Sequence, residues 1–198
     1  MIHIKKAFLL LGIIIAAFIL SCNGNSTKGE KSSVDTIWNE NVQDKFFGVS
    51  FGESKETLIE TFKKEGFVAN FATSTEEYVH FFPTKSQYYS FGGYNWEMLD
   101  ITFSNDKFVG IKFMNSSKDK TEAISQYEQL KKLLTNKYIE TIVEKKDTTV
   151  YGLTAIFSKE TYAIAACYRY ESISKNILIG VSLEYFSNKY YKGAEDEL

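Results

Sequence analysis

The chain has 198 residues, of which 44% are apolar, 24% charged and 16% aromatic, with a single proline, enough apolar material to bury a core in one domain or two small ones. That composition excludes a collagen-like chain, low-complexity disorder and a disulfide-dense mini-protein. The formal net charge is −2, and it falls to −4, with 21 basic against 25 acidic residues, once residues 1–21 with Lys5 and Lys6 are set aside, so the chain lacks the basic footprint that nucleic acid requires.

Lys5 and Lys6 precede an uncharged run over residues 7–20, the positive head and short apolar stretch of a secretory signal. At about 14 residues the run is shorter than the stretch a bilayer span needs. It ends in Ile19, Leu20, Ser21 and Cys22, which resembles the lipobox of bacterial lipoproteins. The resemblance implies cleavage before Cys22, acylation of its thiol and new amino group, and a place in the cell envelope, lipid-anchored at the outer membrane. Residues 23–33 contain no apolar side chain, so they cannot bury surface and read as part of a flexible tether over 22–45. With Cys22 acylated, Cys167 is the only remaining thiol, and no intramolecular disulfide supports the fold.

The folded part is expected over residues 46–198. Ser54 opens a short amphipathic helix to about residue 65, with Leu58, Ile59 and Phe62 on one face, and Gly66 supplies a left-handed cap with Phe67 folding back. Residues 78–82, 97–103 and 108–114 alternate as strands, with a tight turn at Asn105 and Asp106. Asp119 caps a second helix that carries Ala123, Ile124, Tyr127, Leu130, Leu134 and Tyr138 at helical spacing. Residues 150–157, 162–170 and 177–186 read as further strands, one turn falling at Lys159 and Glu160. One dry and one wet face per strand is the antiparallel pattern, and helices do not alternate singly with strands, which disfavours a parallel sheet. The expected fold is α+β: an antiparallel sheet with two helices on one face. The element order suggests tandem helix-plus-four-strand units over 46–115 and 116–191, with a single α+β domain as the alternative.

Three stretches carry a further resemblance. They are Phe47, Gly48, Val49, Ser50, Phe51 and Gly52 with Gly66 and Phe67; Tyr127, Leu130, Leu133, Leu134, Lys137 and Tyr138; and Leu183, Glu184, Tyr185 and Asn188. Together they resemble uncharacterised secreted lipoproteins of diderm bacteria that share the fold of the β-lactamase inhibitory protein. Ile139 and Ser187 stand where that pattern has glycine and aspartate. The resemblance implies a tandem helix-plus-antiparallel-sheet fold and brings neither a reaction nor functional residues.

Chemistry-bearing motifs are sparse. His80, the only histidine after residue 21, lies inside an expected strand and reads as a paired strand histidine rather than a base. No carboxylate or histidine spacing fits a metal site, and Gly92 and Gly93 lead into a strand rather than a phosphate-cradling helix. No cofactor is expected. The candidate recognition residues are Tyr88, Tyr89, Phe91, Tyr94 and Trp96, interleaved with glycine, serine and asparagine in the manner of adaptable binding surfaces; an equal alternative is that these rings finish the core. Arg169, the only arginine, is the other candidate partner contact, against an ion pair with Glu184 or Asp100. These features point to a non-enzymatic, membrane-tethered module that contacts another envelope protein. The alternatives are an outer-membrane assembly or structural lipoprotein, and a glycan-binding protein.

Overall fold

The computed structural model describes residues 39, 42–83, 89–139 and 149–190. The signal and lipobox, including Cys22, lie outside these residues. The folded body begins earlier than residue 46, because Val42 is already buried in the core and the Asn39 backbone bonds to the carbonyl of Phe157 at 3.2 Å.

The chain first forms a two-stranded ribbon, β1 (Lys45–Phe46) and β2 (Val49–Ser50). Its turn places Phe47 at φ 48°, an uncommon conformation for a bulky residue. The turn is held by the Phe47 ring, which meets Phe62 at 5.4 Å and Phe67 at 5.0 Å. Helix α1 (Lys55–Lys64) follows, with Ser54 accepting from the Thr57 N–H and Leu58 and Phe62 buried. Gly66 ends it at φ 92°. The start of α1 is tied to the sheet by Lys55 N–H donating to Asp106 and Phe108 N–H donating to Glu53.

Strands β3 (Phe67–Ala69) and β4 (Tyr78–Pro83) come next, then a small hairpin of β5 (Tyr89–Phe91) and β6 (Tyr94–Trp96). They are followed by β7 (Met98–Ser104) and β8 (Lys107–Ser117), and by helix α2 (Lys120–Lys137), capped by the Asp119 carboxylate. Strands β9 (Val150–Phe157), β10 (Thr161–Glu171) and β11 (Ile177–Ser187) complete the chain. Seven strands form one antiparallel sheet in the order β3-β4-β7-β8-β11-β10-β9. The fold is therefore α+β. The tandem four-strand repeat is not confirmed: α1 precedes four sheet strands and a side hairpin, α2 precedes three.

Register divides the sheet into two faces. Phe81, Leu99, Phe113, Leu183 and Ala165 stand in one transverse row, and Val79, Ile101, Ile111, Tyr185 and Ala163 in the next. These residues share one buried core with Leu58 and Phe62 of α1 and Ala123, Tyr127, Leu130 and Leu134 of α2. Both helices thus cover the same face. Tyr127 is seated on Gly152, where a Cβ would lie 2.2 Å from its ring, and its hydroxyl meets Thr154 Oγ1 at 2.9 Å.

The opposite face is not uniformly wet. Strand β7 alternates as expected, but residues 161–167 of β10 are buried on both sides. Ala163, Ile164, Ala165, Ala166 and Cys167 are apolar without alternation, as befits a strand buried on both faces.

Candidate functional site

The expected aromatic recognition loop is mostly core, and this corrects the sequence-based expectation for three of its residues. The β5–β6 hairpin turns through Gly92 and Gly93, both at positive φ, and lies on the helix-bearing side of the sheet. Phe91 stacks on Phe113 with centroids 4.3 Å apart, Trp96 packs against Phe113 at 5.7 Å, and Tyr89 meets Phe67 at 4.6 Å. Trp96 and Tyr89 are 0% and 1% exposed, so neither can touch a partner. The Trp96 indole N–H is satisfied by the Phe91 carbonyl at 3.0 Å. Tyr94 keeps an accessible ring, its hydroxyl donating to Gln129 Oε1 at 3.4 Å. Tyr88 lies outside the described residues.

Arg169 is exposed near the end of β10, opposite Ile179. The alternative pairing with Glu184 or Asp100 is corrected by register: Arg169 shares the face of Cys167 and Ala165, whereas Glu184 and Asp100 stand on the other side of the sheet. Cys167 is fully buried, and burial pushes its thiol up to about 11, against the pull of Lys120. A thiol held that high is not a nucleophile at neutral pH.

The helix-free face carries what the sequence reading missed. One transverse row consists of His80, Asp100, Lys112 and Glu184, on four successive strands. His80 Nδ1 lies 2.6 Å from Asp100 Oδ1 and donates to it. This bond raises the imidazole above its ordinary value, with burial acting against it and the Asp100 charge and the Thr73 backbone adding to it. Lys112 is also raised: burial opposes its charge, but Tyr168, Glu184 and Asp100 outweigh burial, and its ammonium sits 5.5 Å from the Tyr168 ring centroid. The Glu184 carboxyl is pushed up by burial despite Lys112, with Asp100 adding to the push.

Beside the charges runs an apolar row. Val68 faces Phe82 across β3 and β4, and Met98 faces Met114 across β7 and β8. Val68 and Phe82 are 49% and 43% exposed, and Phe71 in the loop after β3 is 66% exposed. The Tyr168 hydroxyl closes the row by reaching Met114 Sδ at 3.1 Å.

The chain matches no protein-family model, no curated protein and no solved structure. The functional reading therefore rests on residues and geometry.

Among the described residues no group of three or more histidine, cysteine, aspartate or glutamate side chains could hold a metal ion. Among the same residues no helix is long and apolar enough to cross a membrane. Two depressions flank α2. One, of about 430 Å³, is polar and lies between the helix and the ends of β7 and β8; the other, of about 250 Å³, is apolar and lies beside Leu133, Leu134 and Tyr185.

Proposed function

We propose that this protein is a membrane-tethered, non-enzymatic binding module of the bacterial cell envelope, held by acyl chains on Cys22, that contacts another envelope protein through the helix-free face of its sheet. The observation that carries the reading is the exposed Val68–Phe82 pair, set against the adjoining His80–Asp100 pair, with Phe71 also exposed in the loop after β3. Exposed apolar area bordered by polar groups is characteristic of protein contact surfaces, and aromatic residues and methionine are enriched in them. The ordered charges beside that patch would fix the register of the partner rather than supply most of the affinity.

The occupant that fits is a protein surface with an aliphatic or aromatic protrusion for the Val68–Phe82 stripe and a hydrogen-bond donor or cation for Asp100. The tether, read from residues 23–33, would give the body reach while the anchor keeps it at the membrane.

The test is site-specific photo-crosslinking in native cells, with the crosslinking side chain at position 82 and, in parallel, at position 94. Capture of a defined envelope protein from position 82 is expected, and it should disappear in a Val68→Asp background whose melting curve is unchanged. Capture from position 94 alone, or capture from 82 that survives Val68→Asp, overturns the assignment to this face.

A further inference from the structure

The chain enters the folded body at a fixed corner. Asn39 clamps Ile139 just past α2: its side-chain carbonyl accepts from the Ile139 N–H at 2.7 Å, and its amide donates to the Ile139 carbonyl at 3.0 Å. The same residue holds the end of β9, its backbone N–H donating to the Phe157 carbonyl at 3.2 Å. Shortly after, Val42 joins the core and the Gln43 N–H donates to the Tyr138 hydroxyl at 3.3 Å. The polypeptide upstream of Asn39 therefore leaves the body beside the C-terminal end of α2.

That corner is apolar where it meets solvent. Leu133, near the end of α2, is 48% exposed and Ile139 is 54% exposed. The apolar depression of about 250 Å³ opens between them and the root of the tether, with Leu133 and Lys137 on one wall and Gln43 on the other. Exposed lysines surround it: Lys137, Lys45 next to the root, and Lys159 beside Ser158, the bridge partner of Asn39. Of the nearby acids, Asp44 is free to oppose them, while Glu160 is engaged by Lys189 at 3.2 Å. The other large exposed apolar side chains of the described residues stand elsewhere. Val68, Phe71 and Phe82 belong to β3, β4 and the loop between them. Ile173 and Ile177 lie beyond the far end of β10, an 11-residue strand whose first residue, Thr161, reaches the Val42 carbonyl at 3.4 Å.

We infer that this corner docks on the surface of an anionic lipid bilayer, the one that holds the acyl chains of Cys22. Leu133 and Ile139 enter among the headgroups, and Lys45, Lys137 and Lys159 lie at the level of the phosphates. Docking presupposes the acyl anchor proposed above and adds to it the surface that the anchored body turns to the membrane. Sixteen residues separate Cys22 from Asn39, and the ends of a random coil of that length lie about 20 to 24 Å apart. Tethering at such a distance gives an effective concentration in the millimolar range. Two apolar side chains and three lysines attracted to anionic lipid then suffice, without the contact area that an untethered protein would need. Helix α2 covers one side of the sheet, whereas Val68 and Phe82 stand on the other, so docking leaves the proposed partner surface free.

The experiment reconstitutes the acylated full chain in vesicles of phosphatidylethanolamine and phosphatidylglycerol, with a nitroxide on a cysteine placed at position 133, 139 or 82. Leu133→Cys and Ile139→Cys change exposed side chains, and the native Cys167 is 0% exposed, so folding survives and the label goes where it is intended. Collision with oxygen and with a water-soluble nickel chelate reads the depth of each label by electron paramagnetic resonance. The labels at 133 and 139 are expected about 5 to 10 Å inside the headgroup boundary, and the label at 82 in water. The double substitution Lys45→Glu with Lys137→Glu should move the 133 label into water while the protein still floats with the vesicles through its anchor. An acylated, vesicle-bound chain whose 133 and 139 labels meet nickel as freely as the 82 label, or whose 133 label stays at depth after the charge reversal, overturns the docking and leaves the anchor standing. An intact mass showing no acyl chain, with no flotation, removes the anchor and the docking together.

Discussion

The hydroxyl of Tyr89 is the one buried side-chain polar atom among the described residues without a hydrogen-bond partner, which makes Tyr89→Phe a sharp test of how this core is built. The ring itself is needed: it is 1% exposed, packs against Phe67 at a centroid distance of 4.6 Å and faces Trp96 across the β5–β6 hairpin. The hydroxyl is held out of water with nothing in return, and burial pushes its ionisation far above the ordinary tyrosine range, with Asp100 adding to the push. An unsatisfied buried hydroxyl costs on the order of 1 to 3 kcal/mol, so removing the oxygen while keeping the ring should stabilise the protein by about 1 kcal/mol. For a folded body of this size that is an increase of roughly 2 to 4 °C in Tm. Tyr89→Ala should do the reverse, because it empties a ring-sized site and costs about 3 to 5 kcal/mol. Urea unfolding of the two variants beside the parent measures both signs. A Tyr89→Phe protein destabilised by 1 kcal/mol or more would show that the hydroxyl has a partner, and a stable Tyr89→Ala protein would return the ring to the surface role that the sequence suggested.

Three further outcomes are expected. Gly152→Ala would set a methyl 2.2 Å from Tyr127 Cε1, an overpacking cost of about 1 to 3 kcal/mol that denaturant midpoints should show and that a smaller residue at position 127 should partly relieve. His80 is raised above its unfolded value of 6.5 by its bond to Asp100, so its contribution is complete below about pH 6.5 and is lost as pH rises through the raised folded value. With the imidazole 35% exposed, that contribution is at most about 1 kcal/mol, and Asp100→Asn should flatten the stability profile above pH 6; an unchanged profile would remove the pair from the account. Replacing Cys22 by serine should abolish acylation and release the protein from membranes, and an intact mass showing an unacylated parent chain that retains residues 1–21 would refute the anchor.

The helices were legible because their signals are local. Ser54 and Asp119 cap the helices from the expected positions, Gly66 ends α1 at positive φ, and Asn105 with Asp106 turns the β7–β8 hairpin at φ 47° and 61°. The short strands β1, β2, β3, β5 and β6 escaped notice because two or three residues give no period to detect. The charged row escaped for a different reason. Alternation puts Asp100 and Lys112 on a wet face, but only the pairing of β8 with β11 brings Glu184 into line with them, and only the pairing of β4 with β7 sets His80 against Asp100. That order joins strands 20 to 72 residues apart in sequence, which no local pattern encodes.

The same register explains why the aromatic loop misled. Tyrosine, phenylalanine and tryptophan mixed with glycine describe an adaptable binding loop and a compact hairpin that caps a core equally well; the choice falls to whichever surface lies beneath. Here Phe113 and Leu99 present an apolar floor on the helix side of the sheet, and α1 and α2 flank it. Phe91 and Trp96 supply the missing third piece, with Phe91 parallel to Phe113 within 5°. Without the hairpin, Phe113 would lose its two closest aromatic neighbours there, so the rings serve the fold before any partner. The opposite face has no such cover over β3 and β4 among the described residues, and the apolar side chains there remain in solvent at Val68 and Phe82. Apolar area left exposed on one face of a protein that covers the other with two helices and a hairpin is the stronger claim to a binding surface, and it was carried by two residues that composition alone would never single out.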